Sequence, residues 1–269
     1  MNCAAISDRP TTRRPATVGL ASCTVLLGAT MLCPPLVAHL QGLNPSDLPS
    51  AATSAFLSDW KPNAPGLNAP LRELVEYWRL FHLVKAGFAL LLVVVAAPTT
   101  AWWYRNLWVA PTRRRATLAL AAALFAGIFT AGGVVLLVAN IQGAIAPLAS
   151  LISLMPWQKD VALARIAERI SAALSAEQAP EGVPEPVSLL VADFATYHVA
   201  MAAMAGLIAI VLLAGGIAAA RSAHVTSRSV RVTVATLALM CSAATLVVCA
   251  ANISSATNAE QALRLFFTG

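Results

Sequence analysis

Five apolar stretches, each about as long as a bilayer is thick, constrain the fold of this chain more than any other feature. A hydrocarbon core of about 30 Å needs roughly twenty helical residues, and it offers no water to an open backbone. The stretches are residues 16–38, 80–103, 116–139, 199–220 and 232–251. Because 58% of the 269 residues are hydrophobic and only 11% are charged, a soluble domain could not bury them. The sequence predicts an all-α membrane protein, a bundle of five transmembrane helices.

The charged residues between these stretches predict the orientation. Segments 1–15, 104–115 and 221–231 hold ten arginines and one acid, a net charge of +9. Segments 39–79, 140–198 and 252–269, counted together with Lys85 near the outer end of the second span, hold the other eight bases and eleven acids, a net charge of −3. Basic loops stay in the cytoplasm, so the N-terminus is predicted inside and the C-terminus outside. Because the basic residues cluster between spans, they indicate topology, and no nucleic-acid partner is predicted. The arginine- and alanine-rich composition favours a bacterial plasma membrane.

The first apolar stretch has a second interpretation as a cleaved signal peptide. Arg13 and Arg14 resemble a twin-arginine signal, with a cut near Ala38. Against this, Pro15 follows the arginine pair, where that signal has a bulky apolar residue, and the residues before the cut are a poor cleavage site. A retained first span is therefore the favoured interpretation. Cleavage would leave four spans.

The ends of the spans suggest an internal repeat. Residues 36–42 read Leu-Val-Ala-His-Leu-Gln-Gly and residues 137–143 read Leu-Val-Ala-Asn-Ile-Gln-Gly, while the fifth span ends in Ala-Ala-Asn-Ile. His82 and His198 stand near the start of the second and fourth spans, 58 residues before Asn140 and 54 residues before Asn252 respectively. This spacing predicts a helical hairpin that is duplicated, with one extra helix before it. Both hairpins would run in the same direction through the membrane.

The segments assigned to the outside are more than turns. Val161, Ile166 and Ile170 recur at helical spacing, with Arg165 and Arg169 on the opposite face. Pro70 is suited to opening a helix that runs into the second span, and the C-terminal tail is again amphipathic. The sequence therefore predicts a small helical cap outside the membrane.

Polar side chains near the outer boundary are the candidate site residues. They are His39, His82, His198, Lys85, Asn140 and Asn252. Imidazoles at one depth could bind a metal, a haem or a quinone headgroup, so the three histidines are the candidate cofactor ligands, for a cofactor that the sequence does not identify. The alternative is that histidine and lysine simply favour the interface, and that the asparagines end their spans by bonding to frayed backbone.

Function is constrained mainly by what the sequence lacks. No Asp, Glu or Arg lies deep in a span, which disfavours ion-coupled transport. The sequence contains no nucleotide-binding loop, nucleophile elbow, HExxH motif or CxxC pair, so an enzyme is not indicated. The favoured hypothesis is a non-enzymatic subunit or scaffold in the lipid bilayer, whose outer face contacts another membrane or envelope protein. The alternatives are a redox, haem or metal-handling protein that uses the histidines, and an uncoupled channel or lipid-handling protein.

Overall fold

A computed structural model describes residues 14–40, 47–59, 66–175, 184–221 and 228–268. These residues form nine α-helices and no strand. The helices are α1 (Arg14–Leu40), α2 (Leu48–Asp59), α3 (Ala69–Trp108), α4 (Arg113–Ile145), α5 (Pro147–Ile152), α6 (Val161–Ser175), α7 (Glu185–Arg221), α8 (Arg228–Thr257) and α9 (Ala259–Thr268).

Five of these helices, α1, α3, α4, α7 and α8, are long and apolar enough to cross a membrane. The all-α class and the five apolar helices are thus confirmed. Helices α3 and α7 have 40 and 37 residues, or about 60 and 55 Å at 1.5 Å per residue. Both are longer than a hydrocarbon core of about 30 Å is thick.

Helix α3 begins as its sequence predicts. The side-chain oxygen of Asn68 accepts a hydrogen bond from the Leu71 N–H at 2.7 Å and caps the first turn. Pro70 occupies the second helical position, where a missing N–H costs nothing. This hydrogen bond at its N-terminus lets α3 begin well before its apolar stretch.

The chain divides into two units, and the first comprises residues 1–42 and 81–140. Its core joins Cys23 of α1 to Leu92 and Ala96 of α3, with Phe129 of α4 packed against them. Small residues allow the close approach of α4 to α3: a Cβ atom added at Gly133 would lie 2.9 Å from a methyl group of Val93. Close packing of this kind stabilises helix pairs in lipid, where the hydrophobic effect between helices is absent.

The second unit comprises residues 43–80 and 141–269. Its centre is a hairpin of α7 and α8, in which the Ser242 hydroxyl donates to the Ala209 carbonyl at 2.8 Å. Four shorter helices, α2, α5, α6 and α9, pack at the end of this hairpin that lies away from the α7–α8 connection, and we call them the cap. Helices α6 and α9 lie in segments that the sequence predicted as amphipathic, whereas α2 was not predicted.

The cap has its own apolar core. Its fully or largely buried side chains include Phe56, Trp157, Leu163, Ile170, Leu263 and Phe267. Trp157 lies edge-on to both Phe56 and Phe267, with ring centroids 5.2 and 4.8 Å apart. Helix α6 lies where the sequence predicted an amphipathic helix. Its buried side chains include Leu163, Ile166 and Ile170, and Arg165 and Arg169 are exposed. Val161, which was predicted on the apolar face, is instead 70% exposed.

Candidate functional site

A histidine and an asparagine are hydrogen-bonded to each other in the first unit. His82 Nδ1 of α3 lies 2.9 Å from Asn140 Oδ1 of α4. The Asn140 amide nitrogen donates in turn to the Leu136 carbonyl, one turn earlier in the same helix, at 2.6 Å. Asn140 is only 4% exposed, so this amide is held within the helix pair.

The second unit contains the same arrangement. His198 Nδ1 of α7 lies 2.7 Å from Asn252 Oδ1 of α8. The Asn252 amide nitrogen donates to the Val248 carbonyl at 2.8 Å, again four residues earlier. Each hairpin therefore carries one histidine and one asparagine in the same bonding pattern.

This pattern determines which ring nitrogen carries the proton. In each pair the amide NH₂ group bonds to a helix carbonyl, so the oxygen faces the imidazole. An amide oxygen only accepts, so Nδ1 of the neutral ring must be the donor. Nε2 is then the acceptor nitrogen of the ring, the form in which histidine accepts a hydrogen bond or binds a metal.

The interpretation of the two asparagines as helix ends is wrong. Helix α4 continues for five residues beyond Asn140 to Ile145, and α8 continues for five residues beyond Asn252 to Thr257. The helices do not fray at these positions, because each amide bonds to an intact turn of its own helix and to a histidine of the neighbouring helix.

The first helices of the two hairpins, α3 and α7, also agree in register. His82 is thirteen residues after Ala69, where α3 begins, and His198 is thirteen residues after Glu185, where α7 begins. At a constant offset of 116 residues, α3 and α7 also share Pro70 with Pro186, Leu74 with Leu190, Val75 with Val191, Ala86 with Ala202 and Ala89 with Ala205. The leucines and alanines of these pairs are buried in both helices.

The surroundings of the two histidines differ. His82 is half-buried beside Phe81, and the Lys85 ammonium lies 5.7 Å from the centre of the Phe81 ring. His198 lies edge-on to Phe194 with ring centroids 4.6 Å apart, and Phe194 also contacts Phe266 of α9. His198 is thus connected to the cap through aromatic rings.

The third candidate histidine, His39, lies near the end of α1, and its side chain is outside the described residues. Among the residues that are described, no three His, Cys, Asp or Glu side chains form a group that could hold a metal ion. A site shared by the three histidines stays a prediction.

Two polar residues with structural roles were not singled out by the sequence. Gln142 is 7% exposed, and its amide nitrogen donates to the Tyr197 carbonyl at 3.2 Å. The Asp193 carboxylate of α7 accepts the Ala149 N–H of α5 at 2.7 Å. Asp193 could have been noticed in the sequence, because it is the one acid that follows Glu185 in α7.

Comparison of the chain with known protein families, with curated proteins and with solved structures finds no match. The functional argument therefore rests on the residues and contacts described above.

Proposed function

We propose that this chain is a non-enzymatic membrane subunit or scaffold, and that its cap contacts a partner protein of the membrane or the cell envelope. The folded cap is the observation that carries the proposal. Four helices with a shared aromatic core are more structure than the connection of spans requires, and an ordered surface of this kind suits protein recognition.

The exposed face of α6 is the surface proposed for this contact. Arg165, Glu168 and Arg169 are exposed on it, while its opposite face is buried in the cap. Arginine is enriched at protein interfaces because its guanidinium group pairs with carboxylates through two parallel hydrogen bonds. The partner surface would then be acidic.

Photo-crosslinking tests the proposed contact. A photoreactive residue at position 168 should give one discrete adduct in membranes of cells that contain the chain. Arg165→Glu with Arg169→Glu should reduce that adduct at least about tenfold, because like charges would then face each other. Arg165→Lys with Arg169→Lys is the matched control and should retain most of it. If the charge reversal left the adduct yield unchanged, the result would contradict an acidic partner at this face.

The orientation belongs to the same proposal, with the cap outside a bacterial plasma membrane and the basic connections in the cytoplasm. The charge difference between the two sets of segments supports it. Reporter fusions after residues 110 and 225 should be cytoplasmic, and fusions after residues 60, 180 and 269 should lie outside. A cytoplasmic C-terminus would overturn the arrangement of five spans with the N-terminus inside.

We also infer that the two hairpins arose by duplication. Support comes from the shared hydrogen-bonding pattern, the equal register of the histidines, and the residues common to α3 and α7. A relation by duplication would place the two His–Asn pairs at the same membrane depth.

A redox or metal-handling role is the second candidate, and the geometry of the His–Asn pairs favours it. An asparagine that fixes Nδ1 as the donor and leaves Nε2 as the acceptor resembles the second-shell partners of metal-binding histidines. The absorption spectrum and metal content of the purified chain test this role directly.

A bound haem or metal should be lost in His198→Ala. In Asn252→Ala its affinity should fall by about 10- to 100-fold, because the ring would no longer be oriented. His224→Ala is the matched control, since this histidine belongs to a basic connection, and it should bind normally. A chain without visible absorption and without metal would exclude this candidate.

A further inference from the structure

A cavity of about 840 Å³ lies in the first unit, where α3 joins α4. Residues of α1, α3, α4 and the α3–α4 connection line it, among them Trp102, Trp103, Asn106, Thr112, Arg114 and Arg115. Its volume is in the range of small-molecule sites, about 300 to 1,000 Å³. The cavity is therefore large enough for a ligand with several polar groups.

The positive charge at this cavity has no acidic counterpart in the part of the first unit that the structure describes. The described residues of the first unit, 14–40 and 81–140, contain no Asp or Glu. Arg114 and Arg115 are both exposed. The first turn of α4 begins beside them, with the Thr112 hydroxyl oxygen accepting the Arg115 N–H at 3.3 Å, and the positive end of the helix dipole adds to their charge. Arg114 and Arg115 are thus not paired with an acid among the described residues of this unit, and an anionic ligand could pair with them.

Aromatic side chains complete the cavity wall. Trp102 and Trp103 lie edge-on to each other with ring centroids 4.8 Å apart. Indole rings concentrate at the level of the lipid headgroups, because one edge is apolar and the N–H is polar. The Trp103 indole nitrogen is buried and has no hydrogen-bond acceptor among the described residues. A buried N–H of this kind needs an acceptor from elsewhere.

We propose that this cavity binds the headgroup of an anionic phospholipid. The Arg114 and Arg115 guanidinium groups would hold the phosphate, because their planar donors match two phosphate oxygens at once. The two indole rings would pack against the glycerol and the upper acyl chain. Basic pockets between membrane helices recognise headgroups in this way.

The described residues beside the second basic connection, at the ends of α7 and α8, lack these features. The cavity there, lined by Arg228 and Arg231, has a volume of about 250 Å³ and no aromatic lining residue. Arginines line the cavities at both connections. The larger cavity and the lining tryptophans are found at the first. The lipid site is assigned to the first unit for this reason, independently of the function proposed for the cap.

Native mass spectrometry of the full chain in a non-ionic detergent tests the proposal. Titration with phosphatidylglycerol should show one bound lipid with a Kd at least about tenfold lower than that of phosphatidylcholine with the same acyl chains. Arg114→Ala with Arg115→Ala should weaken phosphatidylglycerol binding at least about tenfold, since two charge-assisted contacts are lost. Arg114→Lys with Arg115→Lys keeps the charge and should weaken phosphatidylglycerol binding less than the alanine pair does.

Arg105→Ala with Arg113→Ala is the matched control. It removes two charges from the same connection, but neither residue lines the cavity, so binding should change by less than about threefold. Equal weakening by both alanine pairs, or equal binding of phosphatidylcholine, would overturn the proposal. Displacement of the lipid by inorganic phosphate at the lipid's own concentration would instead identify a free-anion site and would also overturn it.

Discussion

Replacing Trp157 with alanine is expected to destabilise the cap by about 3–5 kcal/mol, the usual cost of truncating a buried tryptophan. The side chain is 7% exposed and stands between Phe56 and Phe267, which belong to α2 and α9. Its indole N–H also donates to the Ile152 carbonyl at 2.7 Å. One truncation thus removes ring contacts to two helices and leaves a buried carbonyl without this donor.

Limited proteolysis and hydrogen exchange of the cap helices measure this effect. Both should accelerate in Trp157→Ala, while membrane insertion is unchanged because the substitution lies outside the five apolar helices. Trp157→Phe keeps most of the ring contacts and loses only the hydrogen bond, so its cost should be about 1–2 kcal/mol. Unchanged exchange in the alanine variant would show that the cap is not held by this aromatic core.

The helical class and the number of long apolar helices could be predicted from the sequence because they depend on local properties. A bilayer imposes a length of apolar helix, so five stretches of sufficient length predict five such helices. Helices α6 and α9 could be predicted because one face of each must be buried, and this periodicity is visible without knowing the partner.

The contacts between helices could not be predicted in the same way. The spacing of His82 from Asn140 and of His198 from Asn252 suggested equal depth, but depth does not determine which faces of two helices meet. That depends on how small residues such as Gly133 let the backbones approach. The role of Trp157 was hidden for a related reason, since it lies between α5 and α6, where the sequence has no periodicity.

Replacing Asp193 with alanine is expected to release α5 from α7, at a cost of about 1.5–3 kcal/mol, the range for a hydrogen bond to a charged group. Helix α5 begins after Ala146, which offers no side-chain cap. The Asp193 carboxylate takes that role from α7 by accepting the Ala149 N–H. Its negative charge also lies at the positive end of the α5 dipole. One residue therefore both caps the short helix and anchors it.

Asp160 provides the comparison that separates these two roles. Its carboxylate accepts the Ala162 and Leu163 N–H groups at 2.8 and 3.1 Å, so it caps its own helix, α6. Asp160→Ala should cost about 0.5–2 kcal/mol and speed hydrogen exchange only in the first turn of α6. Asp193→Ala should speed exchange throughout α5 and leave α6 unchanged, whereas Asp193→Asn, which keeps an acceptor, should fall between wild type and alanine. A helix of six residues cannot persist by itself. If Asp193→Ala affected only the N-terminal turn of α5, other contacts must hold the rest of the helix in place. Asp193 would then cap α5 without anchoring it.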